Sequence, residues 1–279
     1  MQHSSANPIT YVQSLMVGRK TSNAFSNVRT YVMFIGQPRS GTSLLGSLLN
    51  AHQNVLVSQE LNALKYLRRG YGKNQLFWLI QENERKFAKN GRKWTGYQYN
   101  VDSKWQGNYD DLLVIGDKKA GKSTEQLTES PDLLDRLQTT IQLPVRIVHI
   151  VRNPFNVIAT IHRKVKNTTL EAAAEMYFSR CATNWKLMQQ RSDQIYSFHL
   201  EDFIADPNSH LHDLCSLMNV APHKQYIQDC SNVVFKKPNQ TMFDVMWSSE
   251  LVNSIAERMK PYPFLERYEF QVPDNSAAA

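Results

Sequence analysis

Two short segments of the chain could each hold an anion, because each places glycines and hydroxyl side chains directly after an apolar run. The first is 36-GQPRSGTSLL-45, which follows 31-YVMFI-35. The second is 116-GDKKAGKST-124, which follows 112-LLVI-115. Glycines in such turns let backbone N–H groups converge on a phosphate or sulfate, and the helix that follows adds its positive end. The sequence therefore predicts an anion site where a strand leads into a helix.

The second segment fits the Walker A pattern GxxxxGK[ST] over residues 116–123. This interpretation places backbone N–H groups and Lys122 around a nucleoside triphosphate, with Ser123 on Mg²⁺. It also needs an acidic residue at the end of a later strand to hold the metal, whereas the next apolar strand ends at Arg152. A P-loop kinase that uses ATP at residues 116–123 is therefore kept as an alternative hypothesis.

The first segment has the side chains for an anion cradle that uses hydrogen bonds and no metal ion. One guanidinium and three hydroxyls are available there, from Arg39, Ser40, Thr42 and Ser43. A hydroxyl-rich helix cap is the simpler interpretation, but it does not account for an arginine inside the turn. The composition of the segment favours a single terminal anionic group as its ligand.

A second, separate clamp is predicted in 151-VRNPFNVIAT-160, where another apolar strand ends. Asn153 suits a helix N-cap and Pro154 suits the first helical position. Arg152 would then lie at the strand end and Thr160 two turns into the helix, and the pair can bind a phosphate. The alternative is an ordinary capped helix with an incidental arginine.

Together the two clamps resemble the sulfotransferase family that uses 3′-phosphoadenosine-5′-phosphosulfate (PAPS). Arg152 and Thr160 match the family's 3′-phosphate pair, and 48-LLNAHQNVLVSQE-60 is similar in spacing to tyrosylprotein sulfotransferases and related bacterial enzymes. The segment 38-PRSGTSLL-45 is similar to the family's loop for the 5′-phosphosulfate, which implies cofactor contacts from Pro38, Arg39, Ser40, Gly41, Thr42 and Ser43.

The resemblance implies in-line transfer of a sulfuryl group from PAPS to a hydroxyl, with 3′-phosphoadenosine-5′-phosphate (PAP) as the product and no metal required. In the related enzymes an acidic base follows the loop proline at the spacing that separates Pro38 from Glu60, so Glu60 is the expected general base. A lysine over the bridging oxygen corresponds to Lys118, with Lys119 as the alternative, and Arg39 completes the expected catalytic set.

The stretch 235-FKKPNQTMFDVMW-247 is similar to the family's late basic loop, which closes on the 3′-phosphate end. Lys236 and Lys237 are therefore expected to contact the cofactor, although with Pro238 they replace the Arg-Lys-Gly of cytosolic members. Leu200 stands where the tyrosine enzymes tend to carry a tyrosine. Histidine is the base in the cytosolic hormone-type members, and the histidines to be weighed against Glu60 here are His52, His149, His162 and His199.

The pattern along the chain predicts an α/β fold with a central parallel sheet flanked by helices. The resemblance implies that this is the P-loop nucleotide-hydrolase-like sulfotransferase fold. Short apolar runs rich in Val, Ile and aromatic residues predict buried strands at 31–36, 54–58, 112–116, 146–151 and 194–201. We divide the chain into a polar N-terminal arm at 1–29, a single domain at 30–270 with 84–111 as a rim insertion or lid, and a tail at 271–279.

The formal net charge of +7 and the pI near 9.2 favour polyanionic partners. Because 84–111 mixes basic and aromatic residues, a nucleic-acid-binding module is a further alternative, but the ordered phosphate clamps disfavour it. The expected acceptor is a hydroxyl on a small molecule or natural product, with peptide and glycan acceptors left open. The three cysteines, the lack of a membrane-length apolar run and the lack of a secretory signal predict a cytoplasmic protein.

Overall fold

The computed structural model describes residues 8–20, 22–94 and 96–271. The described residues form one five-stranded sheet and one small two-stranded hairpin. In chain order the strands are β1 (Thr30–Gly36), β2 (Val55–Gln59), β3 (Lys93–Trp94), β4 (Tyr97–Gln98), β5 (Val114–Lys118), β6 (Val145–Val151) and β7 (Ile195–His199).

Helices cover both faces of the larger sheet. They are α1 (Pro8–Lys20), α2 (Thr42–Leu49), α3 (Ala63–Leu67), α4 (Lys73–Lys89), α5 (Ala120–Glu129), α6 (Leu133–Ile141), α7 (Pro154–Lys164), α8 (Leu170–Gln190), α9 (Leu200–Ala205), α10 (Pro207–Met218), α11 (Lys224–Asn232) and α12 (Ser249–Met259). Short 3₁₀ helices lie at Ser22–Phe25, Ser192–Gln194, Thr241–Asp244 and Pro263–Leu265.

The sheet has the strand order β2-β5-β1-β6-β7, and each neighbouring pair is parallel. This confirms the predicted α/β fold with a central parallel sheet. Because all five strands run the same way, the loops that follow them emerge at one edge, which is where ligands bind in open α/β sheets. The loops after Gly36, Gln59, Lys118 and Val151 therefore emerge at the same edge, from four neighbouring strands.

Successive side chains of β1 pack in two different hydrophobic clusters, as expected for a central strand covered on both faces. Met33 and Ile35 pack in a cluster that includes Leu76 of α4. Phe34 packs in a second cluster, which includes Leu48 of α2. A third cluster joins α7, α8 and α12. The cradle segment (residues 36–45) and Glu60, which follows β2, thus continue from strands that are packed on both faces.

Two strand ends differ from the predicted ones by two residues, and the end of β2 differs by one. The strand predicted to end at Gly116 continues to Lys118, because Gly116 pairs with both β1 and β2 inside the sheet. A Cβ atom at Gly116 would lie 2.0 Å from the carbonyl oxygen of Val32, so this glycine permits close strand packing and forms no turn. The strand predicted to end at residue 201 ends at His199, where α9 begins.

The predicted N-terminal arm contains helix α1, whose Ser14 hydroxyl accepts a hydrogen bond of 3.0 Å from Gln75 Nε2 on α4. Residues 1–7 of the arm, and all of the predicted tail except Gln271, lie outside the described residues. The stretch 84–111 begins inside α4 and then forms the β3–β4 hairpin and a long loop. Among the described residues, no helix combines the length and apolarity that a membrane crossing needs.

Candidate active site

The cradle segment between β1 and α2 is a tight turn built on left-handed backbone positions. Gly36, Arg39 and Gly41 have φ angles of 117°, 72° and 83°. Arg39 is the costly member of the three, since a non-glycine residue pays for this conformation, and such strain is typical of functional turns. No side chain caps the first turn of α2, which begins at Thr42. The positive end of this helix is therefore open to an anion.

Ser40 has the environment of a ligand-binding hydroxyl. The residue is fully buried, and its Oγ has no hydrogen-bond partner among the described residues. Buried hydroxyls are normally paired, so the cradle has an unused donor and acceptor at its centre. Leu200 closes the other side of the turn, because a Cβ atom at Gly41 would lie 2.6 Å from its Cδ1 atom. The second glycine of the segment thus permits close packing as well as the left-handed turn.

Lys118 connects the end of β5 to this cradle. Its side chain is fully buried, and its Nζ donates a hydrogen bond of 2.7 Å to Ser43 Oγ and a second one to Glu60 Oε1. Burial lowers the pKa of this ammonium group, while the neighbouring Glu60 carboxylate raises it. Gly46 of α2 makes room for the lysine, since a Cβ atom there would lie 3.1 Å from Lys118 Cβ and Cγ.

Glu60 directly follows β2 and has a left-handed backbone, with φ of 64°. Its N–H donates to Lys118 O at 3.0 Å, which extends the β2–β5 ladder by one residue. Its second carboxylate oxygen, Oε2, accepts a hydrogen bond of 2.5 Å from Lys119 Nζ. Burial raises the pKa of the Glu60 carboxyl, but the two lysines outweigh burial and hold that pKa below its usual value. The carboxylate is therefore ionised and held between two cations.

Arg152 joins the two predicted clamps. It directly follows β6, and its Nη1 donates a hydrogen bond of 2.8 Å to the carbonyl oxygen of Arg39 inside the cradle segment. Its Nη2 donates to the carbonyl oxygen of Asn239 in the late loop. The Nε atom of this buried arginine has no partner among the described residues. One guanidinium thus contacts the cradle and the late loop, and it keeps one donor unused.

Thr160 lies on α7, which begins as predicted, with Asn153 Oδ1 accepting from the N–H groups of the first turn and Pro154 at its start. The Thr160 hydroxyl donates 2.7 Å to Asn156 O and lies 2.9 Å from the Thr241 hydroxyl. Thr160 and Arg152 therefore both contact the late loop, at 241 and 239, which brings the members of the predicted second clamp to one segment.

The late loop also meets the β3–β4 hairpin. Asn239 Nδ2 donates 3.2 Å to the hydroxyl of Tyr97, and the rings of Tyr97 and Phe235 pack edge to face at 6.3 Å. Lys236 and Lys237 lie in this loop and are exposed. Their assignment as cofactor contacts remains a prediction. Through Tyr97 the stretch 84–111 contacts the late loop, and its role as a lid remains a prediction.

The four histidines considered as bases have other contacts. Among the described residues, none of their ring nitrogens forms a hydrogen bond with Glu60 or the cradle. Their partners are Ala221 O at 2.8 Å for His52, Ser197 Oγ at 2.8 Å for His149, Thr168 O at 2.6 Å for His162 and Phe264 O at 3.0 Å for His199. Burial lowers the pKa of His149 to about 3, so this histidine is a neutral core residue. The geometry favours the carboxylate over an imidazole.

The Walker A interpretation of residues 116–123 is wrong. Its first three residues are strand, and α5 begins at Ala120, so no loop is present to wrap a triphosphate. Lys122 lies on the surface and pairs with Glu125 at 2.5 Å. The segment instead supports the cradle, because Thr124 Oγ1 accepts a hydrogen bond of 2.9 Å from the N–H of Gly36.

Two residues of this site were not singled out from the sequence. In the sequence Gly46 looks like an ordinary small helix residue. Only the packing of Lys118 against it shows that it leaves space for the lysine side chain. Asp117 was read as part of a loop, whereas it is a buried strand residue that binds the turn after Glu60. The signal for Asp117 in the sequence was its position directly before Lys118, the lysine expected at the strand end.

Comparison with known proteins decides the class of enzyme. A model of the sulfotransferase family matches residues 32–223, which is more than half of the chain. The chain belongs to the sulfotransferase family. The matched range includes the cradle, Glu60, Lys118 and the Arg152–Thr160 clamp. Sulfuryl transfer thereby takes precedence over the kinase and nucleic-acid hypotheses. No curated protein matches the sequence of this sulfotransferase.

Solved structures show the same fold at low sequence identity. The sulfotransferase domain of the Synechococcus PCC 7002 olefin synthase has a TM-score of 0.57 and 15% identity, over 88% of this chain and 97% of that one. The sulfotransferase domain from the curacin biosynthetic pathway has a TM-score of 0.55 and 15% identity, over 88% and 99%. Sulfotransferase STF9 from Mycobacterium avium has a TM-score of 0.53 and 10% identity, over 94% and 83%.

Proposed function

We propose that this sulfotransferase moves the sulfuryl group of PAPS to an acceptor hydroxyl, with Glu60 as the general base. One observation carries the proposal. The ammonium of Lys118 donates hydrogen bonds both to Ser43 in the cradle and to Glu60. The anion site, a buried cation and a carboxylate are therefore in direct contact. In-line transfer needs these three groups side by side, because it must hold the donor, neutralise the leaving oxygen and accept a proton.

The residues present fit a donor with two separated phosphate groups. The cradle would hold the 5′-phosphosulfate through Arg39, the backbone from Pro38 to Gly41 and the hydroxyls of Ser40, Thr42 and Ser43. Arg152 and Thr160 would hold the 3′-phosphate, with Lys236 and Lys237 closing over it. Two buried groups, Ser40 Oγ and Arg152 Nε, have no hydrogen-bond partner within the described part of the chain; one lies in each clamp, which supports this assignment.

The chemistry assigned to each side chain follows from its place. PAPS supplies a sulfuryl group that is activated by its anhydride bond to phosphate. As the acceptor oxygen bonds to sulfur, Glu60 takes the acceptor's proton. As the bond between sulfur and the bridging oxygen breaks, Lys118 stabilises the negative charge that stays on the phosphate, and Arg39 assists it. No metal ion is required in this scheme.

Because of the two lysines around Glu60, the strength of this base depends on whether the sulfuryl donor is bound. Both lower the pKa of Glu60, which weakens it as a proton acceptor. An anionic donor in the cradle competes for the ammonium of Lys118, which is already bonded to Ser43 there. We propose that Lys118 turns toward the donor on binding, and that Glu60, left with Lys119, becomes the stronger base.

A small molecule or natural product is the acceptor that we favour. Two of the similar structures are sulfotransferase domains from an olefin synthase and from the curacin biosynthetic pathway, which are biosynthetic settings. The exposed rings of Tyr97 and Phe235 at the rim also suit an acceptor with apolar surface. Peptide and glycan hydroxyls remain the alternatives.

Transfer from ³⁵S-labelled PAPS to a panel of acceptors tests the proposal. The panel contains a simple phenol, a long-chain alcohol, a tyrosine peptide and an oligosaccharide, each with and without EDTA. We expect label in the phenol or the alcohol, undiminished by EDTA and incorporated at least ~100-fold more slowly, though measurably, with Glu60→Gln. Transfer of phosphate from ATP–Mg²⁺, or a failure of PAPS to react with any acceptor or with water, would overturn the assignment.

A further inference from the structure

One buried carboxylate near the site has no part in the chemistry above. Asp117 is 3% exposed and lies on β5, immediately before Lys118. Its Oδ1 accepts a hydrogen bond of 2.8 Å from Ser58 Oγ and one of 3.1 Å from Leu61 N. Its Oδ2 accepts one of 2.8 Å from Ala63 N. Both carboxylate oxygens are thus used to bind the chain on either side of Glu60.

The segment that Asp117 binds is a strained turn. Glu60 and Asn62 both have left-handed backbones, with φ of 64° and 68°. A non-glycine residue in this region is strained, and such positions persist only where the surrounding structure fixes them. The bonds to Leu61 N and Ala63 N bracket Asn62, and a bond of 2.5 Å from Gln126 Nε2 to Asn62 Oδ1 adds to them.

The same strand also holds the cation that faces Glu60. Asp117 and Lys118 are consecutive residues of β5, so their side chains leave opposite faces of the sheet. One binds the turn through its backbone, and the other binds the Glu60 carboxylate. We infer that Asp117 is a positioning residue that holds the turn carrying Glu60, and so sets the place of this carboxylate relative to Lys118 and the cradle. The inference rests on the proposed role of Glu60 as the base.

The chemistry of the site explains why a carboxylate is needed. Asparagine has the same shape but only one acceptor oxygen. Whichever way its amide is oriented, its NH₂ group faces the N–H of Leu61 or of Ala63. One backbone donor then loses its partner inside the protein, and the turn shifts to relieve the conflict. Because a misplacement of about 1 Å costs roughly 100-fold in rate, a small shift of Glu60 is enough to slow turnover.

The variant Asp117→Asn tests the inference through a split between turnover and donor binding. We expect kcat to fall at least ~10-fold per folded enzyme, with the Kd for PAP changed less than ~2-fold. The assay uses ³⁵S-labelled PAPS and the acceptor selected by the panel, or water if no acceptor reacts. Glu84→Gln is the matched control, because it alters another buried carboxylate, which Asn50 and Arg92 bind away from the cradle. This control should lose stability and keep kcat.

A double-mutant cycle separates positioning from a general structural role. In the Glu60→Gln background, Asp117→Asn should cause no further loss of kcat, because the group that it positions is gone. If Asp117→Asn does not fold, Ser58→Ala removes one bond to the same carboxylate and should lower kcat about 3-fold. The inference is overturned if Asp117→Asn, or Ser58→Ala in its place, keeps full kcat, or if its effect multiplies with that of Glu60→Gln. Normal turnover of Glu60→Gln itself would instead remove the base assignment, and the positioning role with it.

Discussion

The ammonium of Lys118 lies between the hydroxyl of Ser43 and the carboxylate of Glu60, and it donates a hydrogen bond to each. This contact connects three parts of the sheet edge, since Ser43 belongs to α2, Lys118 to β5 and Glu60 to the turn after β2. A fully buried lysine is rare unless it is paired, and its burial here is balanced by one carboxylate. Substitutions at Lys118, and at Gly46 that packs against it, test this arrangement directly.

Replacing Lys118 with methionine should lower kcat at least ~100-fold and leave PAP bound with an affinity changed less than ~5-fold. The methionine keeps the apolar stem that packs on Gly46, but it removes the charge that would stabilise the leaving oxygen. Single-turnover kinetics with PAPS measures the chemical step, and calorimetry with PAP measures the affinity. Lys122→Met, on an exposed lysine of α5, is the control that should behave as wild type.

The variant Arg152→Ala should act on binding rather than on chemistry. A charge-assisted hydrogen bond contributes about 1.5–3 kcal/mol, so we expect the Kd for PAP to rise at least ~10-fold. The affinity for adenosine 5′-phosphate, which lacks the 3′-phosphate, should change much less. Arg146→Ala removes an arginine of β6 that binds Asp193 O outside the site, and it should change neither affinity. Equal losses for both nucleotides would contradict the 3′-phosphate assignment.

A single added methyl group at Gly46 should impair catalysis without unfolding the protein. Its Cβ would lie 2.9 Å from Gln59 Nε2 and 3.1 Å from Lys118 Cβ, so the lysine must move. Alanine also favours the helix by about 0.5–1 kcal/mol over glycine, which offsets the crowding. We expect an unchanged melting temperature and a kcat about 10-fold lower. Gly72→Ala, which meets only Gln75 Oε1 at 3.8 Å, serves as the control.

The buried His149 should make the folded state sensitive to acid. Burial lowers its pKa to about 3, whereas the unfolded chain has the ordinary value near 6.5. Between these two values the unfolded state binds the extra proton, so stability is complete above pH 6.5 and is lost as the pH falls toward 3. From pH 7 to pH 5 this single group should cost about 2 kcal/mol of unfolding free energy.

Urea unfolding at the two pH values measures this loss. His149→Gln does not titrate and can still bond Ser197 or Asn184, the polar neighbours of the ring. The pH dependence of the variant should therefore be smaller than that of wild type by about 2 kcal/mol. An identical loss in both proteins would show that His149 is not the group responsible.

Much of the fold could be predicted from the sequence, because the signals were local. The apolar runs marked the strands, and Asn153 with Pro154 marked the start of α7 as the structure has it. The end of β5 could not be predicted in the same way. A glycine usually punctuates a strand, and only the approach of Val32 O to Gly116 shows that this one lies inside the sheet.

The candidate site was predictable in its residue types and not in its contacts. The resemblance to the sulfotransferase family pointed to Pro38, Glu60 and Lys118, but the ion pair between Glu60 and Lys118 depends on the pairing of β2 with β5. The bond from Arg152 to Arg39 O likewise joins segments far apart in the chain. Such relations are set by strand order, which no local pattern specifies.

Calorimetric titration of the protein with PAP, in EDTA and against ATP–Mg²⁺ as a competitor, tests the central claim most directly. The account predicts that PAP binds without metal, that ATP–Mg²⁺ does not displace it at equal concentration, and that Ser40→Ala and Arg152→Ala each weaken binding. Bound PAP should also raise the melting temperature, as any ligand of the folded state does. Preference for ATP–Mg²⁺, or PAP binding that neither substitution weakens, would contradict the assignment of the cradle and the clamp.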